Sequence, residues 1–385
     1  MKILYIGAGF VGACSAAVSA SSGHTTLVYD INTDRVTKLG SGDGDTIESC
    51  LFERGLGDLL VQHRERVRFT IDYKEVGAFL DTADAIFMCL PTPEIGETGE
   101  SDLTHYLAAA KELAGALSKR NGGSQEKYIV IVNKSTVPID MAERAQQLFS
   151  ELGVKNIGIV SNPEFLIEGK AVAGAMKPDR VVVGAWNEKD FSIMRQVYQR
   201  FVNAPGVQYI EVNPKEAEAG KLLANFYLFN KLAVCFDVIG RTSETFKDIQ
   251  FEHLRQILMT DPRIGDWGFY NSLYAGGSCL IKDARSLSYQ LQTAGQNAIL
   301  VNETYLANER QLQLFLGRAK EEAKIQWAGK KVSVLGLTFK RDTNDIRNSP
   351  SLNIVRFLEE QGVGSICLYD PAGTKFFSDV VPASQ

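Results

Sequence analysis

Lys2-Ile3-Leu4-Tyr5-Ile6-Gly7-Ala8-Gly9-Phe10-Val11-Gly12 is an apolar run that breaks at once into three glycines spaced GxGxxG, and the small residues Ala13 to Ser22 follow. An apolar run this short suits a buried strand, and small residues suit a helix packed tightly on it. Each glycine then has a physical task. Gly7 permits the tight turn, Gly9 lets backbone N–H groups approach an anion at the helix start, and Gly12 lets helix and strand come close. A second apolar run, Thr25 to Tyr29, ends at Asp30. A carboxylate about 20 residues beyond the glycines suits the hydroxyls of an adenosine ribose and repels a 2′-phosphate. The pattern predicts a dinucleotide fold and NAD rather than NADP, with Phe10 and Val11 at the helix start and Arg35 placed to flank the adenosine.

Working outward, Ala85 to Leu90 is wholly apolar, as a central parallel strand should be, and stops at Pro91-Thr92-Pro93. Tyr128 to Val132 repeats the pattern and ends in Asn133-Lys134-Ser135-Thr136-Val137-Pro138. Strand ends of this kind form the carboxyl edge of a sheet, where cofactors bind, so Thr92 and Thr136 are candidates. For Ser135, capping a helix that starts near Ile139 and a catalytic role are equally open. Ile157 to Val160 leads to Asn162-Pro163-Glu164-Phe165-Leu166-Ile167-Glu168-Gly169. Glu164 and Glu168, four apart, are expected on one side of a helical turn, where they could place a water or simply face solvent. Strands at Val181 to Gly184 and Val207 to Val212 flank a helix over about 188–202, completing a Rossmann-like parallel sheet expected to span 1–212.

From Pro214 a long helix is expected to about Ile239, with Gly240 at its stop. Lys221 and Asn225 share one face of it among apolar neighbours, which favours polar partners or a substrate oxygen over snorkelling to solvent. Further helices over about 248–259, 283–295 and 300–325 give a central helical domain, 213–327, suited to dimerisation. Lys331 to Gly336 then starts a second strand–loop–helix pattern, whose loop carries Lys340, Arg341, Asn344, Arg347 and Asn348. Basic and amide groups after a strand suit phosphate. This last unit, 328–385, holds about 55 residues, short for a self-contained nucleotide-binding domain, and is expected to be a partial one.

Gly276-Gly277-Ser278-Cys279-Leu280-Ile281-Lys282-Asp283 sets a thiol between a glycine pair and a Lys-Asp pair. Glycines admit a close ligand, and the cation and carboxylate can hold a thiolate and move protons, whereas a small buried apolar cysteine is the plainer reading. The other cysteines, Cys14, Cys50, Cys89, Cys235 and Cys367, show no metal-ligand or disulfide spacing. Cys14, Cys89, Cys235 and Cys367 are expected in the core, all thiols reduced, and no metal is expected. With 41 basic against 46 acidic residues, net charge −5, the chain is not a general nucleic-acid or membrane-surface binder. The first residues enter a strand without a basic leader, and the expected setting is the cytoplasm.

Taken together, these pieces resemble the UDP-glucose/GDP-mannose dehydrogenase family over nearly the whole length. The matching segments are GAGFVG (7–12), KSTVP (134–138), NPEFLIEG (162–169), KPDRVVVG (177–184), KLLAN (221–225), DPRIG (261–265), GGSCLIKD (276–283) and GLTFKRDTNDIRNSPS (336–351). The resemblance implies oxidation of a sugar C6 alcohol to a carboxylate with two NAD and a thioester on Cys279. It implies that Lys221 and Asn225 stabilise an oxyanion, that Asp283 and Thr136 hold a water, and that Glu164 assists hydrolysis. Glu168, Lys282, Arg347 and Thr92 would line the NAD site. Glu164, Phe165, Leu166, Lys221, Asn225, Gly276 and Lys340 would line that of a nucleotide sugar, UDP-glucose by NPEFLIEG, with GDP-mannose or a UDP-N-acetylhexosamine as alternatives for the same chemistry. Arg263 would cross a homodimer interface. The chain departs from the family at Leu273-Tyr274-Ala275 and at Ile281. Two rivals are a two-electron hydroxyacid dehydrogenase, which needs no thiol, and a non-catalytic nucleotide-binding protein.

Overall fold

The computed structural model describes residues 1–120, 127–270, 272–322 and 324–380. The chain divides into two compact units, Met1–Ile95 with Ser101–Lys221, and Gly96–Glu100 with Leu222–Gln385. The last five residues of the expected 328–385 unit lie outside the described residues.

The first unit follows from alternation. On β1 (Lys2–Ile6), Ile3 and Tyr5 enter one core while Leu4 and Ile6 enter another. Residues on successive positions of a strand point to opposite faces, so a strand with no polar alternation must be covered on both sides. α1 (Phe10–Ser21) leads to β2 (Thr25–Tyr29), then α2 (Thr33–Leu39), α3 (Gly44–Leu51), α4 (Leu56–Gln62) and β3 (Val67–Thr70). α5 (Tyr73–Leu80), β4 (Ala85–Met88), α6 (Thr104–Leu117), β5 (Ile129–Asn133), α7 (Met141–Glu151) and β6 (Ile157–Ser161) follow. α8 (Ala171–Met176), β7 (Arg180–Gly184), α9 (Glu188–Val197) and β8 (Gln208–Val212) close the sheet. Asn32, Asp43, Asp72 and Asn187 start their helices by accepting a backbone N–H of the first turn.

The strand order is β3-β2-β1-β4-β5-β6-β7-β8. It is the Rossmann-like sheet the glycine motif implied, parallel except where β6 meets β7 antiparallel at Ser161 and Gly184. The order reverses between β1 and β4, placing the glycine loop and the ends of β4 and β5 at a topological switch point. Three local expectations differ. β3, an edge strand with exposed Arg68, escaped notice because its pattern is short and half polar. The Glu164–Glu168 stretch is irregular, not a helical turn. Its backbone donors go to carboxylates instead: Leu166 N to Glu164, and Gly169 N (2.7 Å) and Ala171 N (2.9 Å) to the fully buried Glu53. The helix begun by α10 (Pro214–Ala233) does not stop at Gly240. It passes through a π-helical stretch, Val234–Gly240, into α11 (Arg241–Thr245).

By length and composition the run Pro214–Thr245 could cross a membrane. Leu222, Phe229, Ala233, Cys235 and Phe236 are buried in the protein, as in a core helix. In the second unit α12 (Phe251–Met259) packs on the π-helical stretch around Cys235, Ile239 and Phe269. α13 (Cys279–Thr293) pairs with α14 (Ile299–Glu321). Then β9 (Lys331–Leu335), α15 (Pro350–Glu360), β10 (Ser365–Tyr369) and α16 (Thr374–Val380) form a small parallel unit around Val334, Leu337, Val355, Leu358 and Phe377. Cys14 and Cys235 are buried as expected, but Cys367 is exposed, because it lies on the uncovered side of β10.

Candidate active site

The glycine loop obeys its geometry residue by residue. Gly7 has φ +103°, and a Cβ there would sit 2.2 Å from the Cys89 carbonyl oxygen. A Cβ on Gly12 would sit 1.9 Å from the Gly7 carbonyl oxygen. Gly9 is different: nothing stands within 4 Å of the place its Cβ would take. The protein gives no steric reason for that glycine, which leaves the approach of a ligand. Gly9, the residue capping α1, makes no side-chain cap hydrogen bond, so the N–H groups of the first turn, at Phe10 and Val11, suit an anion at that helix start. Asp30 accepts from Ala8 N (2.6 Å) and Asn32 N (2.8 Å), and Arg35 pairs with it at 3.2 Å. A pyrophosphate with its ribose fits this arrangement.

At the ends of β4 and β5, Thr92 Oγ1 donates to the Thr136 carbonyl (2.6 Å). Ser135 accepts from Leu90 N (2.8 Å) and lies 2.7 Å from Leu90 O, so its hydroxyl holds the two strand ends together. Further along this edge Glu164 Oε1 pairs with Lys221 Nζ at 3.1 Å, both side chains almost fully buried. Phe165 lies beneath two cations, Arg180 at 3.8 Å from the ring centre and Lys221 at 5.3 Å. Glu168, two residues past Leu166, is half-buried in an irregular loop. A cavity of about 280 Å³ opens beside Glu164, Phe165 and Leu166 and reaches Tyr5, Lys134 and Tyr198. Lys134 is a residue whose importance the sequence did not show. Burial pushes its amine down to about 8, and it is held by Asn162 (3.1 Å) and Tyr198 (3.4 Å). Its signals were a place directly after an apolar strand and at the head of the KSTVP segment, neither of which gave it a role.

In the second unit Cys279 is exposed at the first turn of α13. Asp283, one helical turn on, is buried and accepts from Asn225 (2.5 Å) and Lys282 (2.6 Å). Asn225 thus finds the polar partner that an inward amide requires. The Gly276-Gly277 pair approaches protein as well. A Cβ on Gly276 would lie 2.5 Å from the Asn348 carbonyl oxygen, and one on Gly277 would lie 2.8 Å from the Phe339 ring. Gly277 N donates to Arg347 O (3.1 Å), which ties the cysteine loop to the basic loop after β9. The Arg347 side chain pairs with Asp345 (2.6 Å), and Lys340 lies over Phe339. Arg263 stands apart from these groups, its side chain 89% exposed and held by Asp261 (2.5 Å).

Known proteins agree with this division of labour. Residues 1–202 match the NAD binding domain of the UDP-glucose/GDP-mannose dehydrogenase family, residues 215–310 its central domain, and residues 333–382 its UDP binding domain. A UDP-glucose 6-dehydrogenase of Pseudomonas aeruginosa is 32% identical over 377 residues, covering 96% of this chain and 79% of that protein. The UDP-glucose 6-dehydrogenase TuaD of Bacillus subtilis is 32% identical over 381 residues, covering 96% and 76%. A solved UDP-glucose dehydrogenase from Pyrobaculum islandicum superposes with a TM-score of 0.88 at 28% identity, covering 99% of this chain and 84% of that one. With a dinucleotide loop, a nucleotide-binding unit and family matches in chain order, this chain belongs to the UDP-glucose/GDP-mannose dehydrogenase family of NAD-dependent nucleotide-sugar dehydrogenases.

Proposed function

We propose that the chain oxidises UDP-glucose at C6 to UDP-glucuronate, in two oxidations on one nucleotide sugar. The observation that carries the chemistry is the arrangement on α13: an exposed thiol at a helix start, with a buried carboxylate one turn below it that is held by Asn225 and Lys282. The helix start favours negative charge at that thiol. The sugar is supported by the relatives in Pseudomonas aeruginosa and Bacillus subtilis that carry the UDP-glucose name.

NAD, when bound, accepts one hydride in each oxidation. Removing the first from the alcohol leaves an aldehyde, which has no second hydride to release until a nucleophile adds. Cys279 Sγ then bonds to C6 to give a thiohemiacetal. Loss of the second hydride makes a thioester, and water cleaves it to the carboxylate and the free thiol. Lys221 and Asn225 stabilise the oxyanion at each tetrahedral stage. A water held by Asp283 and Thr136 takes the hydroxyl proton released in each oxidation, and Glu164 takes a proton from the second water that cleaves the thioester. Gly7, Gly9, Phe10, Val11, Gly12, Asp30 and Arg35 hold the dinucleotide, with Thr92, Thr136, Glu168, Lys282 and Arg347 around it. Phe165, Leu166, Gly276 and Lys340 bind the nucleotide sugar. Arg263, exposed and presented by Asp261, serves the sugar of a second copy, so a homodimer belongs to this reading. So do the domains 1–212, 213–327 and 328–385, and a cytoplasmic setting.

The test is the NADH released per UDP-glucose consumed, beside Cys279→Ser. Two NADH and a uronate, both lost in the variant, are expected. One NADH, unchanged in the variant, would leave the two-electron hydroxyacid chemistry. Turnover of GDP-mannose or a UDP-N-acetylhexosamine in place of UDP-glucose would keep the chemistry and replace the sugar.

A further inference from the structure

Glu218 lies on α10 one turn before Lys221, and only 2% of it is exposed. A carboxylate so deeply buried needs donors, and it has three from two other elements. Its Oε1 accepts from Ala142 N (2.8 Å) and Ser161 Oγ (2.7 Å), while Oε2 accepts from Asp140 N (2.9 Å). Asp140 and Ala142 are the start of α7, just past Thr136. Ser161 ends β6, three residues before Glu164. The three anchor points therefore lie next to three residues of the proposed chemistry. Glu218, Thr136 and Lys221 also line one narrow cleft with Pro163.

We propose that Glu218 is a positioning residue, which fixes Lys221, Thr136 and Glu164 relative to one another for the oxidation proposed above, on which this inference rests. It does not touch substrate. Burial pushes its carboxyl up to about 7 against these donors; ionised, it offers two acceptor oxygens to the three of them. Glutamine cannot replace it, because its amide nitrogen would have to face either Asp140 N–H or the Ala142 N–H and Ser161 hydroxyl. A donor set against a donor shifts the elements apart. Displacements of this kind at catalytic groups cost rate far more than binding.

Glu218→Gln tests this with kinetics and with amide hydrogen exchange on the full chain. Folded by circular dichroism, the variant is expected to lose kcat by about tenfold or more while its KM for NAD stays within about twofold. Exchange in peptides covering 137–145 is expected to speed up by about tenfold. Ser161→Ala, which removes one donor and leaves the Glu218 side chain and its two backbone donors in place, is expected to lose kcat by about threefold. Wild-type kcat in folded Glu218→Gln overturns the proposal, as does unchanged exchange at 137–145. Should Glu218→Gln not fold, wild-type kcat in Ser161→Ala overturns it. If the wild type itself turns over no UDP-glucose, that reading fails, and the exchange measurement still decides whether Glu218 holds α7.

Discussion

The chain builds the same turn twice. At the end of β1, Gly7 has φ +103° and its N–H donates to Tyr29 O (2.8 Å); at the end of β9, Gly336 has φ +91° and donates to Tyr369 O (2.9 Å). Asp30 after β2 accepts from Ala8 N (2.6 Å), and Asp370 after β10 accepts from Leu337 N (2.8 Å). Beyond the turn the two diverge. The first enters its helix at Phe10, with Gly9 open to the outside. The second runs through Lys340, Arg341 and Arg347 before Ser349 caps α15. On the reading proposed above, one backbone device thus serves two kinds of anion site: N–H groups at a bare helix start for the dinucleotide, and a long cationic loop that gives Lys340 to the nucleotide sugar and Arg347 to the dinucleotide.

The surroundings differ as sharply as the loops, and glycine substitutions would expose this. Gly7→Ala meets both an unfavourable φ and the Cys89 carbonyl at 2.2 Å. Strain and overpacking together are expected to cost about 3–6 kcal/mol. Gly336→Ala meets nothing within 4 Å, so only the φ penalty remains, about 1–2 kcal/mol. Urea unfolding of the two variants checks this. Equal losses would mean that the second turn is packed as tightly as the first, and the comparison would break.

How much of this could be read in the sequence follows from the range of each interaction. Gly7, Gly12 and Asp30 were legible because their reasons lie within one βαβ unit of fixed spacing. Asn225 was legible because an amide among Leu222, Leu223, Ala224 and Phe226 demands a partner, though which one, Asp283, was decided 58 residues away. Glu218 and Glu53 were not legible: their partners are main-chain N–H groups 76 and 118 residues distant, which no residue type advertises. The irregular 162–170 loop was misread for the same reason, since carboxylates took the donors a helical turn needs. Gly240 misled in the other direction. A glycine that stops an isolated helix is tolerated when flanking turns continue with packed Cys235, Phe236 and Ile239.

The paired aspartates give a smaller and more selective contrast. Asp370 also accepts from Ala372 N (2.8 Å) and Gly373 N (2.7 Å). Burial opposes its charge, yet these backbone donors hold its carboxyl below the usual carboxylate range. A depressed carboxylate stabilises the fold above its ordinary value of 3.8, and that contribution disappears as pH falls through its folded pKa. Asp370→Asn is therefore expected to cost about 1–3 kcal/mol at pH 7 and progressively less below pH 4. Thermal melts over that range read it directly, with the KM for NAD unchanged. Asp30→Ala is expected to raise the KM for NAD by about tenfold, its carboxylate serving cofactor as well as loop. A shift in the KM for NAD with Asp370→Asn would mean that the two turns do not divide the ligands as proposed.

The smallest effect is expected where the two turns differ most in cover. β1 lies between β2 and β4 and is buried on both faces, whereas Leu335 on β9 is 75% exposed and Tyr369 beside it on β10 is 61% exposed. A solvent-facing apolar residue contributes little to folding, so Leu335→Thr is expected to change stability by less than about 0.5 kcal/mol. Threonine keeps the strand propensity, which leaves burial as the quantity being read. A loss several times larger, or one that varies with protein concentration, would mean that this face is covered in solution. The second turn would then carry a shielded strand as the first does, and the contrast between them would reduce to their loops alone.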